Sequence, residues 1–444
     1  MNPYLRILKV VWPLALGMVN NAVMQFVDRI YLAHDSMESL EAALPAGVLM
    51  WIFAGFFQTV VGYSSVFVAQ YHGAGEDAKC RAGTRAAFAI AVVAGVLSLP
   101  LAFAGRWFLS LSAPSAAVLE RERSYFFILM LGSFFVYAQT AAAAYFTGRG
   151  WTRIVFWVNL LGNVLNVALD PFLIFGWCGL PRLGMAGAAV ATVASMAVQW
   201  LVLEFVLRRE WAGAPVASGV WRIAARILRF GVPAGFYSVL NLLSFTIFVF
   251  VTGGVGELEL AVSNACFTVN YLLFAPMEGF SIGASTLVAQ AIGRGDPDGA
   301  ARDARRTIFM GVCFVAALSL AVVAAAHPIL SLFVSGDLAG DAAALGRFHS
   351  LGLTLLLLMA AWQLFDAADV IVSGALKGAG DTKFVMWWMF VCSFGLWLPG
   401  VFIVRRFHNT MPALWSTMVG YVLVICVGSF SRWRRGSWRG RKVV

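Results

Sequence analysis

Charge is scarce in this chain. Asp, Glu, Lys and Arg make up 12% of its 444 residues, about half the share of an ordinary soluble domain, and that deficit excludes a solvated globular fold. Histidine is scarcer still: His34, His72, His327, His349 and His408 are dispersed, so zinc or haem ligand spacing is missing. The six cysteines, at 80, 178, 266, 313, 392 and 426, include no C-x-x-C pair. They read as small apolar residues rather than as a disulfide framework or a redox motif. Without a His, Cys or acidic cluster on one helical face the chain does not read as an enzyme, and no cofactor is expected; only the close pair Asp366 and Asp369 argues otherwise.

What the chain has instead is apolar length. Hydrophobic residues form 61% of it and the mean hydropathy is +0.81. Its apolar runs reach the ~20 residues that a helix needs to cross a hydrocarbon core of about 30 Å. Backbone groups in lipid must be satisfied within each span, so an all-α membrane protein with twelve transmembrane helices is expected. The spans are placed at 10–33, 45–70, 86–109, 124–147, 154–177, 184–207, 229–252, 260–290, 307–334, 348–375, 384–404 and 411–430. The first is too long and too polar for a cleaved signal and reads as a permanent helix.

Lys and Arg orient these spans, because cytoplasmic loops hold the excess of positive charge. With the N-terminus inside, 24 of the 32 Lys and Arg fall inside, whereas the 34–44 and 253–259 loops on the other side are acidic. Both termini are therefore expected in the cytoplasm of a multi-pass protein of the plasma membrane, a bacterial inner membrane. The net charge of +10 then needs no nucleic-acid partner. The basic end RWRRGSWRGRK suits a surface of anionic membrane lipid.

An internal repeat organises the chain. SVFVAQYHGAGEDAKCRAGTR (65–85) aligns with STLVAQAIGRGDPDGAARDAR (285–305), with Ser65, Val68, Ala69, Gln70, Gly73, Gly75 and Arg85 recurring as Ser285, Val288, Ala289, Gln290, Gly293, Gly295 and Arg305. GRGWTR from Gly148 pairs in the same way with GAGDTK from Gly378. All four segments fall on the basic side, so the halves share one orientation, as parallel repeats about an axis along the membrane normal do. The expected organisation is a six-helix lobe over 1–207, a cytoplasmic linker over 208–228, a second six-helix lobe over 229–431 and a basic cytoplasmic tail over 432–444.

Two spans carry polar stripes. In NLLGNVLNVALDPFLIFG, Asn159, Asn163, Asn166 and Asp170 are spaced i, i+4, i+7 and i+11 and share one helix face. In span one, Asn21, Gln25 and Asp28 repeat the pattern, and the two aspartates sit at similar depth. An intramembrane carboxylate is costly and reads as functional, whereas a lone asparagine is as often glue between helices, and Arg29 next to Asp28 offers an ion pair. Pro171 frees the carbonyl of Val167 and, with Gly17, marks a bending point. In the later half the candidates are Asn241, Glu278, Asp366 and Asp369. Asp366 is preferred as the cavity-facing member of its pair because Gln363 and Val370 bracket it.

Together FVDRIYLA, NVLNVALDPFLIFG, the paired Q-x-x-G-x-G loops and SGALKGAGDTK resemble the multidrug and toxic compound extrusion (MATE) family over the whole chain. The resemblance implies a monomeric transporter of two six-helix lobes that exports small amphipathic organic compounds, often cationic, in exchange for H+ or Na+, with no metal beyond that Na+. Asp28, Asn166, Asp170 and Asp366 match the family's polar positions. Members of the Na+-linked branch carry a glutamate after the G-x-P of GVPAGFYSVLN where this chain has Asn241, a departure that favours coupling through the earlier lobe, with Thr192 a further candidate. Met24, Phe26, Trp51, Phe53 and Tyr137 suit a broad apolar substrate cavity. The alternative is a flippase for lipid-linked sugars or other amphipathic lipids. It would need a cationic cavity, and few Lys or Arg lie within the spans.

Overall fold

A computed structural model describes residues 2–112, 115–334 and 341–444. Among them the chain is all-helical, with twelve helices long and apolar enough to cross a membrane. These are α1 (Pro3–Asp35), α2 (Met37–Gly73, broken at Tyr63), α3 (Asp77–Leu109), α4 (Ala116–Gly148), α5 (Thr152–Phe175) and α6 (Met185–Trp211), then α7 (Val220–Thr252), α8 (Glu257–Gly293), α9 (Pro297–Ala324), α10 (Ala342–Gly378), α11 (Thr382–Phe407) and α12 (Met411–Arg434). Seven of the twelve have 33 or more residues. At 1.5 Å per residue that is about 50 Å, well beyond the hydrocarbon.

Local chemistry sets their ends. Ser36 caps α2 through Ser39 N–H (3.1 Å), and Asp296, with Pro297 behind it, caps α9 through Gly299 N–H (2.7 Å). The repeated glycines Gly75 and Gly295 have φ of 77° and 75°, and Gly150 and Gly380 have 79° and 84°. A side chain is strained there, which is why both repeats keep a glycine at each turn. The Gly75 turn leads into α3 and the Asp296 cap starts α9, both inside stretches that the charge pattern reads as loops. Likewise α6 runs to Trp211 and α7 begins at Val220, so 212–219 alone is non-helical between the halves.

Most helices pack on others of their own half, but α7 lies largely against α2 and α3; the seam between the halves is made by α1 and the end of α2 on α8 and by α2 and α3 on α7. Small residues let these backbones approach, as within membranes generally: Gly279 lies against the Leu14–Ala15 backbone, and Gly231 against Val60. At the basic end the repeated motifs meet reciprocally. Gln70 Nε2 donates to Gly378 O (3.3 Å) and Gln290 Nε2 to Gly148 O (2.8 Å), while Gly73 abuts the Gln290 backbone and Gly293 the Gln70 backbone. Tyr63 Oη donates to Lys377 O (2.7 Å), and Arg6 pairs with Asp303. Together these contacts close the basic end.

The residues after α12 do not trail free. Trp438 is buried against Trp433, Arg441 and Arg432 pair with the buried Asp381, and Val443 N–H donates to Gln70 Oε1 (3.1 Å). A basic segment expected to lie on lipid is folded back over the seam, because Asp381 and Gln70 supply polar partners that hydrocarbon lacks.

Gly293→Ala places a methyl on the Gln70 carbonyl, and overpacking of this kind costs about 1–3 kcal/mol. Gly420, with open space around its α-carbon, is the control. Thermal unfolding of the purified variants should show a lower midpoint for Gly293→Ala and an unchanged or higher one for Gly420→Ala.

Candidate functional site

The seam opens, away from the basic end, into a cavity of about 580 Å³ lined by both halves. That is the size of a site for a drug-sized molecule. Its earlier-half wall is polar. Asn21, Gln25 and Asp28 of α1 face it, with Asn159 and Asn163 of α5 and Thr192 of α6, because the i, i+4, i+7 spacing turns each stripe inward. Asn163 Nδ2 donates to Asn21 Oδ1 (2.7 Å), and Gln25 lies beside Tyr271 of α8 across the halves. Met24 and Trp51 add apolar surface.

A carboxyl pair is set into that wall, with Asp28 at the cavity and Asp170 buried behind it. Asn166 is fully buried and bridges it to α6: with its amide oriented to satisfy both neighbours, Nδ2 donates to Asp28 Oδ1 (3.0 Å) and Oδ1 accepts from Thr192 N–H (3.2 Å). Asp28 and Asp170 lie within hydrogen-bonding reach of each other. Asp170 is inaccessible to solvent, and neither of its oxygens receives a hydrogen bond from a donor. Two carboxyl groups can bond only when one carries a proton. Arg29, exposed at the cavity, pairs with no carboxylate among the described residues. Pro171 is buried in α5, which continues through it to Phe175.

In the later half, Glu278 and Lys377 line the cavity. Lys377, with Nζ 4.7 Å over the Tyr237 ring, sits in the field of Glu278 and Asp369. Neither Asp366 nor Asp369 lines the cavity. Asp369 is the more deeply buried and contacts Ser429 of α12, and Gln363, expected to bracket Asp366 on a cavity stripe, is turned inside to donate to Asn270 Oδ1 (2.7 Å).

Other expected positions also lie elsewhere. Phe26 is 56% exposed on the outer surface, since two residues along a helix from either Met24 or Asp28 point to another face. Phe53 packs on Phe108 and Phe126. Tyr137 is fully buried with its hydroxyl on Ser98 (2.9 Å), and Asn241 is exposed away from the cavity. The structure adds Gln58, Thr59, Tyr125, Gln139, Ser238 and Lys377 to the lining. Most are single polar residues without a stripe, and Lys377 read only as an orienting charge.

Comparison with known proteins gives one answer. The MatE family model matches residues 13–172 and 233–403. The chain is similar to the probable multidrug resistance protein YoeA of Bacillus subtilis, 26% identical over 94% of this chain and 89% of that protein. It is also similar to the probable multidrug resistance protein NorM of Thermotoga maritima, 24% identical over 97% and 93%. Among solved structures, a Vibrio cholerae MATE transporter, VcmN, superposes with a TM-score of 0.86 at 15% identity, covering 99% of this chain and 98% of that one. An outward-facing multidrug resistance MATE transporter gives 0.81 at 20% identity, covering 100% and 98%. At such identities the superpositions speak for the fold.

Asp170→Asn should leave the thermal midpoint unchanged or raised, because the amide donates to Asp28 where two carboxyl groups need a shared proton. Asp170→Leu should lower it, since it takes from the half-buried Asp28 carboxyl its polar neighbour, a loss of about 1–3 kcal/mol. Thermal unfolding in detergent checks both.

Proposed function

The chain belongs to the MatE family of multidrug and toxic compound extrusion transporters, and from that premise we propose that it exports small amphipathic organic compounds, often cationic, by antiport with H+. The observation that carries this reading is the Asp28/Asp170 pair, with Asp28 at the cavity wall and tied by Asn166 to Thr192, and Asp170 buried directly behind it. A bound proton joins the two carboxyl groups, and its loss leaves like charges side by side with Asp170 out of reach of solvent, so protonation alters how α1 packs on α5. Gly17 and Pro171 are the bending points. Na+ coupling is the other form of the same exchange, with the Asp28, Asn166 and Asp170 oxygens as its ligands.

The cycle is alternating access. The positive-inside rule makes the closed basic end cytoplasmic, together with both termini, and the cavity then faces outward from a bacterial inner membrane. The division into lobes 1–207 and 229–431, joined by 208–228 and followed by 432–444, suits rocking about the α1/α8 and α2/α7 seam, and a monomer suffices because the cavity is complete within one chain. Asp28 and Glu278 on opposite walls favour organic cations. Arg29 and Lys377 lie apart, each near a carboxylate, which supports an exporter over a flippase whose pyrophosphate would need clustered cations.

The energetics suffice. One pH unit supplies about 1.4 kcal/mol per proton and 100 mV about 2.3 kcal/mol per charge. One proton exchanged for a neutral compound sustains a gradient of several hundredfold, at roughly 1.4 kcal/mol per tenfold.

Proteoliposomes loaded with ethidium or norfloxacin, driven in parallel by a pH gradient and by a Na+ gradient, test this. Export should follow the pH gradient and fall by about tenfold or more in Asp28→Asn and Asp170→Asn, the loss of about 1.4 kcal/mol of coupling. Export by Na+ alone, or full proton-driven export by both variants, overturns the assignment.

A further inference from the structure

At the basic end, outside the central cavity, a groove of about 480 Å³ lies between the first turns of α9 and the end of α12 with the segment that follows it. Its charge is one-sided. Arg302 and Arg305 stand on the α9 wall and Arg434 and Arg439 on the other, against the single carboxylate Asp298, which Arg439 already engages at 2.9 Å. Arg302 also faces Asp296 (3.7 Å). Arg305 and Arg434 are exposed and have no ion-pair or hydrogen-bond partner among the described residues.

The groove changes character with depth. In the wall opposite α9, Trp433 and Trp438 stack at 4.1 Å and 8°, the indole arrangement that suits a headgroup layer. One turn further into the bundle, Ile308 and Phe430 make an apolar floor. Cations at the rim, indoles below them and aliphatic and aromatic carbon deepest reproduce the order of a phospholipid: phosphate, glycerol backbone, acyl chain. Basic pockets between helices at a membrane surface hold anionic headgroups through this combination of charge and burial.

We propose that this groove is a binding site for one anionic phospholipid, its phosphate held by Arg305 and Arg434 and an acyl chain running along Ile308 and Phe430. The proposal rests on membrane insertion and is independent of what the cavity transports. One wall consists of Trp433–Arg439, part of the segment folded back onto Gln70 and Asp381, so the lipid holds that segment docked across the closed seam. By reciprocity, docking strengthens lipid binding.

The test is lipid retention by the purified full chain, read by native mass spectrometry during titration with dioleoyl phosphatidylglycerol, with dioleoyl phosphatidylcholine, and with inorganic phosphate. The expected result is retention of phosphatidylglycerol over phosphatidylcholine. Arg305→Gln with Arg434→Gln should weaken it about tenfold or more, given the contribution of each arginine at an anionic surface. Arg222→Gln with Arg229→Gln, basic residues outside the groove, should leave it unchanged. Equal retention of the two lipids, equal retention by the groove variant, or phosphate binding as tightly as the lipid overturns the proposal; the last outcome makes the groove a free-anion site.

Discussion

A bilayer offers no water to a polar side chain, and the arrangement of this molecule follows from where it puts those it cannot expose. With 12% of its residues charged, the chain has few such groups within its spans, and each must meet another polar group or an aqueous cavity. On the earlier half, α1 and α5 turn their stripes toward each other and toward the cavity. The result is a ladder of amides, Asn163 on Asn21 and Asn166 on Asp28, that ends at a carboxyl with no donor of its own. An amide ladder rigidifies because every member is satisfied. Asp170 is the carboxyl beside the ladder that no donor satisfies.

The same constraint shapes the seam. Two apolar bundles in lipid gain little from burying more hydrocarbon against each other, so close backbone approach and interhelical hydrogen bonds must hold them. Gln70 and Gln290 each carry a hydrogen bond into the opposite half, and Gly73 and Gly293 provide the clearance. Such contacts are short and directional, so they hold at full strength or part altogether. A seam built this way suits a protein that must close at one end while open at the other.

Much of this was legible in residue spacing. Asp28, Asn166 and Asp170 could be brought together on paper because each lies on a stripe with helical period, and a stripe of polar residues in an apolar helix has only one direction to face. The repeat was legible because the φ of Gly75, Gly150, Gly295 and Gly380 admits glycine and little else. Where a residue stands alone, that logic has nothing to hold. Phe26, Phe53 and Tyr137 are ordinary aromatics on three helices, and whether each meets lipid, core or cavity depends on its rotation about the helix axis. Gln363 and Asp366 share a face, yet Asn270 of α8 claims the amide, and the stripe no longer points to the cavity.

The end of the chain shows the division most sharply. Taken by itself, RWRRGSWRGRK is a basic segment suited to a lipid surface, and nothing in its order announces a fold. The buried carboxylate Asp381 and the side-chain amide oxygen of Gln70 are separated from it by sequence but not by space. The amino-acid order alone determined the number of helices, their membrane character, their two-fold repetition and the face on which α1 and α5 carry carboxylates, because hydropathy, glycine turns and 3.6-residue periodicity are local properties. Which carboxyl lacks a donor, which cation reaches the cavity and where the basic segment docks were decided only by the tertiary structure. Those outcomes depend on contacts between helices far apart in the chain, and no local property encodes them.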